Sequence, residues 1–278
     1  MQYSVLMSVY RNDIPEYIDI SIRSILKQTV LPEQFVIVVD GPVPNAIMDI
    51  IDNYRKNVDL FTIVELKENK GLGNALNVGL QQCRNELVAR MDADDISVPS
   101  RCERELECFN KDLEIDICGC NIVEFLGEPE NIRTERVVPE QHEDIKKFMR
   151  KRQPFNHPTV MYKKSKVLAV GGYEILRRKE DFDLFSKMLV MGCKAVNINE
   201  SLYLYRANED NYKRRKSWIN LFSAILVYTK HLKRGGCGLG DYIIICGAEV
   251  VFFVMPQVLM HWVSDNFLRR KVKNGESL

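Results

Sequence analysis

Two carboxylates separated by one residue at the end of an apolar run can hold a hard cation between them. Such a cluster stands at Asp92-Ala93-Asp94-Asp95, directly after the run Leu87–Met91. Oxygen ligands of this kind suit Mg²⁺ or Mn²⁺ bound jointly with a diphosphate. A solvated acidic turn that merely caps the next helix would use the same residues. An EF-hand loop is disfavoured, because Ile96 and Ser97 occupy positions that need a ligand and a glycine, although Glu103 falls at the twelfth place. A phosphatase with an aspartyl nucleophile also wants Asp-x-Asp after a strand. It normally places the motif on the first strand, whereas three strand patterns precede this one.

Three further groups could do chemistry. Asp40 ends the run Val38-Val39-Asp40-Gly41-Pro42, where its carboxylate could accept hydrogen bonds from a base or ribose, or close an Asx-type turn with Gly41. Asn69-Lys70-Gly71-Leu72-Gly73-Asn74 and the following Asn77-Val78-Gly79 are punctuated by glycine without the G-x-G-x-x-G spacing. That pattern reads equally as a phosphate-facing loop or as a closely packed helix start. Glu180-Asp181-Phe182-Asp183 opens a late helical pattern, where acids ordinarily complement the helix dipole but can also supply a base. His157, in Asn156-His157-Pro158, reads as a core histidine as readily as a site residue.

The elements that must position these residues alternate. The runs Ser4–Val9, Phe35–Val39, Phe61–Leu66 and Leu87–Met91 read as strands, and Pro15–Gln28, Ala46–Tyr54 and Asn74–Gln82 as helices between them. This repeat predicts an α/β fold with a mostly parallel sheet covered on both faces, binding its ligand beyond the carboxyl ends of the strands. Ser100-x-x-Glu103 has the form of a capping box opening a helix to about residue 110. Ile115–Phe125 alternates as a strand, Gly127-Glu128-Pro129-Glu130 reads as a hairpin turn to Arg133–Val138, and a helix follows over Glu140–Arg150. Regularity is weak through Gln153–Tyr173 and returns as a helix over Asp181–Met191 stopped by Gly192.

The chain has 278 residues, 46% of them hydrophobic, and a net charge of +1, which excludes a disordered, collagen-like or small disulfide-stapled protein. Near-neutrality argues against a dedicated nucleic-acid binder. The charge is uneven, however: residues 211–278 carry eleven Lys/Arg against four Asp/Glu, a net +7, and residues 1–210 carry −6. Eight cysteines without a Cys-x-x-Cys pair predict reduced thiols. The N-terminus starts as a strand without a basic leader, which predicts a cytoplasmic chain. The division falls at about residue 210, with a domain over 1–210 and a helical tail over 211–278.

In that tail, Lys213-Arg214-Arg215-Lys216 leads an amphipathic helix to Arg234, and the glycine-rich stretch 235–240 breaks it. Ile243–Val263 then runs for 21 residues without Lys or Arg. Glu249, Pro256, Gln257 and His261 interrupt that run, so an interfacial or re-entrant segment is preferred over a membrane span or a buried helix of the domain. The basic residues predict an anionic partner, a membrane surface or phosphorylated groups.

Taken in order, Ser8-Val9-Tyr10, Val39-Asp40-Gly41, Asn69-Lys70-Gly71 with Asn74-Ala75 and Asn77-Val78-Gly79, Met91-Asp92-Ala93-Asp94-Asp95, Gly171-Gly172-Tyr173 and Glu180-Asp181-Phe182-Asp183-Leu184 closely resemble the family 2 glycosyltransferases. The resemblance covers about residues 3–206. Leu202-Tyr203-Leu204-Tyr205-Arg206 and Asn211–Lys216 look like members that build bacterial capsular and exopolysaccharides. Many relatives carry His where this chain has Asn208, and a second Asp where it has Val39. The resemblance implies a GT-A-type fold and a nucleoside diphosphate sugar donor, a UDP-sugar foremost. Val9, Tyr10, Asp40, Lys70 and Asp92 would contact the donor, with Asp40 on the base and Asp92 on the ribose or diphosphate side. Asp94 would hold Mn²⁺ or Mg²⁺, and Asp181 would be the base of an inverting transfer to a glycan or lipid-linked acceptor. It further implies a chain held peripherally or monotopically on the cytoplasmic face of the inner membrane. A non-catalytic membrane-associated scaffold should have lost Asp92, Asp94 or Asp181, and a sugar nucleotidyltransferase should begin with a glycine-rich loop where Tyr10-Arg11-Asn12-Asp13 stands.

Overall fold

The computed structural model describes residues 1–207, 216–256, 259 and 270–271. The alternating half forms as its periodicity dictates. Strands β1 (Tyr3–Val9), β2 (Gln34–Val39), β3 (Phe61–Glu65) and β4 (Leu87–Asp92) alternate with helices α1 (Pro15–Leu26), α2 (Asn45–Asn57) and α3 (Leu72–Gln82). They lie side by side in the order β4-β1-β2-β3, all parallel. Odd-numbered residues of β1 point into one apolar layer with Ile18, Ile22 and Phe109. Leu6 points into the other, with Leu76, Leu80 and Phe185. Both faces of the sheet are therefore buried, which is why these strands read as continuous apolar runs.

Beyond β4 the expectation of a mostly parallel sheet fails, and the sheet is mixed. A two-residue strand β5 (Ile96–Ser97), α4 (Arg101–Lys111), β6 (Ile115–Phe125), β7 (Ile132–Arg136), α5 (His142–Met149), β8 (Met161–Lys163), α6 (Lys164–Ala169), α7 (Glu180–Val190) and β9 (Lys194–Arg206) follow. β8 inserts antiparallel between β4 and β6, the β6–β7 hairpin is antiparallel as its turn predicts, and β5 runs antiparallel to β9. Only β9 on β6 is parallel here. Helices still separate most of these strands, α4 before β6, α5 before β8 and α6 with α7 before β9; the reversals come from the β6–β7 hairpin and from β8 entering against both its neighbours. The capping box also does not form. Ser100 is in the right-handed helical region without a side-chain cap, and Glu103 instead accepts a 2.7 Å hydrogen bond from the Thr29 hydroxyl.

The tail contributes α8 (Trp218–Lys233), α9 (Leu239–Val254) and a short β10 (Arg270–Lys271) antiparallel to β7. Lys213-Arg214-Arg215, Asn208 and most of the apolar run beyond Pro256 lie outside the described residues. Among the described residues no helix is long and apolar enough to cross a membrane. One side of α8, with Ala224, Val227 and Tyr228, joins the apolar layer that holds Phe182 and Phe185 of α7. Ser217 caps α8 by accepting from the Asn220 N–H at 3.1 Å. The described cysteines are all free thiols.

Candidate functional site

The carboxyl ends of β1, β2 and β4 meet at one rim of the sheet, in the register Val9 to Val39 and Ser8 to Asp92. Val9 is buried and its carbonyl accepts from the Asp40 N–H at 2.8 Å, which carries β2 one residue past β1. Tyr10 then turns the chain away, its N–H donating to Asp13 Oδ2 at 2.8 Å. Asp40 itself is buried and accepts from the N–H groups of Lys70 and Gly71, one at each carboxylate oxygen and both at 3.0 Å. Gly41 makes this closeness possible. At φ 84° any Cβ would sit 2.5 Å from the Asn69 nitrogen. Asp40 is thus a carboxylate locked to the loop after β3. Lys70 contributes its backbone to this lock, while its ammonium is half-exposed and paired with Glu68 at 2.9 Å.

The aspartate cluster sits at the adjoining strand end. Asp92 is paired with Arg90, whose guanidinium is wholly buried and also donates to the carbonyls of Leu6 and Met91. A buried guanidinium needs such a partner, so Arg90 fixes the position of the Asp92 carboxylate. The Asp94 carbonyl accepts from Arg206 Nε at 2.8 Å, and Asp95 Oδ1 accepts from the Arg206 N–H at 2.7 Å. The Arg206 guanidinium is itself held between rings, 3.7 Å from the Tyr17 centroid and 4.5 Å from that of Phe125. This is the role of the Tyr205-Arg206 pair: it shapes the acidic turn from β9. Asp95 is fully buried and its Oδ2 has no hydrogen-bond partner among the described residues. Burial, reinforced by Asp94 and Asp92, pushes its carboxyl well above the usual range. An acidic turn with an orphaned buried oxygen fits a divalent cation by its donor chemistry. Among the described residues no three His, Cys, Asp or Glu side chains converge to hold a metal ion.

A second group of residues, brought by α7 and the segment before it, faces this rim. Asp181 Oδ2 accepts from the Gln153 amide at 3.0 Å and Oδ1 from the Phe182 N–H at 2.8 Å. Burial works against its charge, but His157, these two donors and Lys179 together hold its carboxyl below the ordinary value. Its neighbour Glu180 moves the other way, pushed up to about 7 by burial and by the Asp181 anion. His157 is pushed down to about 4, by burial first and by Arg90 second, so the imidazole is neutral at pH 7. It is held by the Tyr173 hydroxyl at 3.0 Å and packed near Phe185. Tyr173 is in turn clamped by Asn77, which accepts from its N–H at 2.8 Å and donates to its carbonyl at 2.7 Å. The motifs Asn77-Val78-Gly79 and Gly171-Gly172-Tyr173 therefore have one physical purpose, to dock the loop before α7 onto α3.

The structure brings Asp40, Asp92 and Asp94 to one rim with Val9 and Tyr10, and the fields of both Arg90 and Asp181 are felt at His157. Reasoning from sequence missed Arg90 and Gln153. The signal for Arg90 was available, a lone cation inside an apolar strand. Gln153 carries no signal, because its value depends on where α7 lands.

A sequence model of glycosyl transferase family 2 matches residues 4–181. The UDP-Gal:alpha-D-GlcNAc-diphosphoundecaprenol beta-1,3-galactosyltransferase of Escherichia coli is 33% identical over 271 residues, 97% of each chain. The amylovoran biosynthesis glycosyltransferase AmsE of Erwinia amylovora is 34% identical over 81% of this chain and 84% of its own. Among solved structures, the mannosyltransferase PcManGT from Pyrobaculum calidifontis in complex with GDP-Man and Mn²⁺ superposes with a TM-score of 0.64 at 17% identity. It covers 91% of this chain and 70% of that one. At that identity the likeness speaks to the fold alone.

Proposed function

We propose, from the premise that this chain belongs to glycosyl transferase family 2 and is a glycosyltransferase, that it moves a sugar from a nucleoside diphosphate donor, foremost a UDP-sugar, to a hydroxyl of a lipid-linked glycan, inverting the anomeric centre. The observation that carries the reading is one rim with two complementary halves: a loop-locked Asp40 and an Arg-fixed acidic turn on one side, and a single ionised carboxylate, Asp181, on the other. The full-length relative that acts on a diphosphoundecaprenol acceptor supports the choice of acceptor.

In this reading Asp40 receives the base and Asp92 the ribose or diphosphate side, with Val9, Tyr10 and the Lys70 loop framing them. Asp94 would hold Mn²⁺ or Mg²⁺ together with the diphosphate, and the cation supplies neutralisation of the charge that develops on the leaving group. Asp181 takes the proton of the acceptor hydroxyl as its oxygen bonds to the anomeric carbon. The carbon–oxygen bond to the diphosphate breaks and the electron pair leaves with the nucleotide. Gln153 and the Phe182 N–H fix the direction of the Asp181 carboxylate, and neutral His157 keeps a second titrating cation out of the site. Residues 1–210 carry this chemistry, and residues 211–278 attach it to the cytoplasmic face of the inner membrane.

The test is a panel of nucleotide sugars with a polyprenyl-diphosphate glycan acceptor, reading transfer and nucleotide release together. Asp181→Asn should retain donor affinity and lose at least about 10²-fold in turnover, the scale of general-base removal. A folded Asp181→Asn protein with normal turnover would remove Asp181 from the role.

A further inference from the structure

The two charged residues of α9 are both turned toward the domain. Asp241, Ile245 and Glu249 lie four residues apart and so share one face of the helix. Asp241 pairs with Arg150 at 2.6 Å and Lys151 at 3.2 Å, and Glu249 pairs with Lys179 at 2.8 Å. The opposite face of α9 is apolar and exposed, including Ile243, Ile244 and Val251. On α8, Trp218, Phe222 and Leu226 form an exposed stripe at helical spacing, and Trp218 stacks on Phe222 and lies against Phe253 of α9. Of the large apolar side chains exposed among the described residues, about half belong to this pair of helices and their continuation at Leu259. Patches of that kind mark interaction surfaces rather than ordinary solvated faces.

We propose that this apolar face of the α8–α9 pair docks in the interface of an anionic bilayer, with the first turn of α7, which carries Asp181, at the same edge of the molecule. The occupant is argued from charge. In the sequence Lys213-Arg214-Arg215-Lys216 immediately precedes Ser217, the cap of α8, and the tail's net charge is +7. The acids of α9 are withdrawn into ion pairs on the other side, so an anionic surface meets apolar groups flanked by cations. Aromatic side chains such as Trp218 favour that depth. The orientation follows from the contacts on the inner side. Lys230 pairs with Glu174, Arg234 with buried Asp183 at 2.7 Å, and Glu249 with Lys179 two residues before Asp181. A helix pair lying in the interface would thus hold the first turn of α7 at the membrane surface, where a lipid-linked acceptor presents its first sugars. The orientation rests on the reading of Asp181 above; the docking does not.

The experiment uses the full chain with a Trp262→Phe background, so that Trp218 alone reports. Vesicles of phosphatidylethanolamine with a quarter phosphatidylglycerol should carry the protein in flotation and shift the Trp218 emission to the blue. The pair Ile244→Glu with Val251→Glu should lower partitioning at least about tenfold while leaving the melting temperature and transfer to a short-chain soluble acceptor unchanged. Should that pair fail to fold, Phe222→Asn and depth-dependent quenching of Trp218 read the same face. Absence of flotation by the folded parent, equal flotation of the charged variant, or equal binding to neutral phosphatidylcholine would overturn the proposal. So would a dimer that the same substitutions dissolve and vesicles do not, which would make the face a contact between two copies. Vesicle binding without any transfer to soluble acceptor would count against the glycosyl-transfer reading and leave the docking face standing.

Discussion

Glu249→Gln tests whether the tail holds Asp181, the proposed base, in place. The carboxylate lies 2.8 Å from Lys179 Nζ and accepts from the Tyr228 hydroxyl at 3.3 Å. The two side chains of the pair are only 27% and 15% exposed. Breaking a buried pair costs about 3–5 kcal/mol and an exposed one about 0–1, so this pair belongs between the limits, at about 2–3 kcal/mol. For a domain of this size that is a fall in melting temperature of about 5–10 °C. Lys179 has a second reason to move once released. It sits at φ 66°, the one non-glycine residue with positive φ among the described residues, a conformation that costs about 1–2 kcal/mol. Relaxing it rotates the first turn of α7 and with it Asp181, and a misplacement of about 1 Å is worth about 10²-fold in rate. The expected result is a kcat lowered about 10- to 100-fold with donor KM within about twofold, because Asp40, Asp92 and Asp94 hang from other elements. Lys179→Gly in the same background should restore part of the stability by removing the strain. Thermal denaturation and initial rates with a soluble acceptor read both quantities. A destabilised protein with unchanged kcat would refute the link between tail and base, and an unchanged melting temperature would refute the energetics.

Asp94→Ala should abolish the extra melting-temperature rise that Mn²⁺ gives to the protein with UDP, while the metal-free nucleotide shift persists; an unchanged metal-dependent shift removes Asp94 as a ligand. Glu105 is fully buried with neither carboxyl oxygen hydrogen-bonded among the described residues, and burial pushes it up to about 8 from 4.5. The native state therefore keeps a proton that the unfolded chain has lost, so stability falls as pH rises from about 4.5 to about 8 and levels off above. Glu105→Gln should flatten that slope, being more stable than the parent at pH 9 and not at pH 4, by denaturant midpoint. Gly172→Ala places a Cβ against Asn77 Oδ1 at φ 70°, so the Asn77 clamp on Tyr173 breaks. The left-handed penalty and two lost hydrogen bonds predict about 2–4 kcal/mol by urea unfolding.

The half of the fold that was legible is the half whose information is local. Strands β1, β2 and β4 are buried on both faces, β3 is half-buried at the sheet edge, and helices separate them, so each appears as an apolar run at a fixed interval. β8 and β9 escaped because their identity lies in their partners. β9 carries Asn197, Asn199 and Glu200 within Lys194–Arg206, and it is a strand because β6 pairs along it. The direction of a strand is likewise set by where it lands: helices precede β6, β8 and β9 as they precede β2 to β4, yet β8 enters antiparallel between β4 and β6, which a regular β-α opening does not announce. The site divides the same way. Asp40, Asp92 and Asp94 stand at strand ends and could be found from spacing. What Asp181 can do depends on Gln153, His157 and Tyr173, which reach it only once the segment 153–173 is folded against α3.

The tail shows how one residue can be read with opposite meaning in one and three dimensions. In the sequence Glu249 interrupts an apolar run and counts against a membrane span, because a carboxylate in hydrocarbon is costly. In the structure it has left the apolar face altogether. Spaced at intervals of four with Asp241 and Ile245, it belongs to the stripe that grips the domain, and its charge is matched by Lys179. The helix is therefore amphipathic in an inverted sense, with its polar stripe buried in ion pairs and its apolar stripe outermost. Such an arrangement is unfavourable in water and favourable only where the outer face meets something apolar, so the exposed stripe and the buried acids are one feature with one explanation.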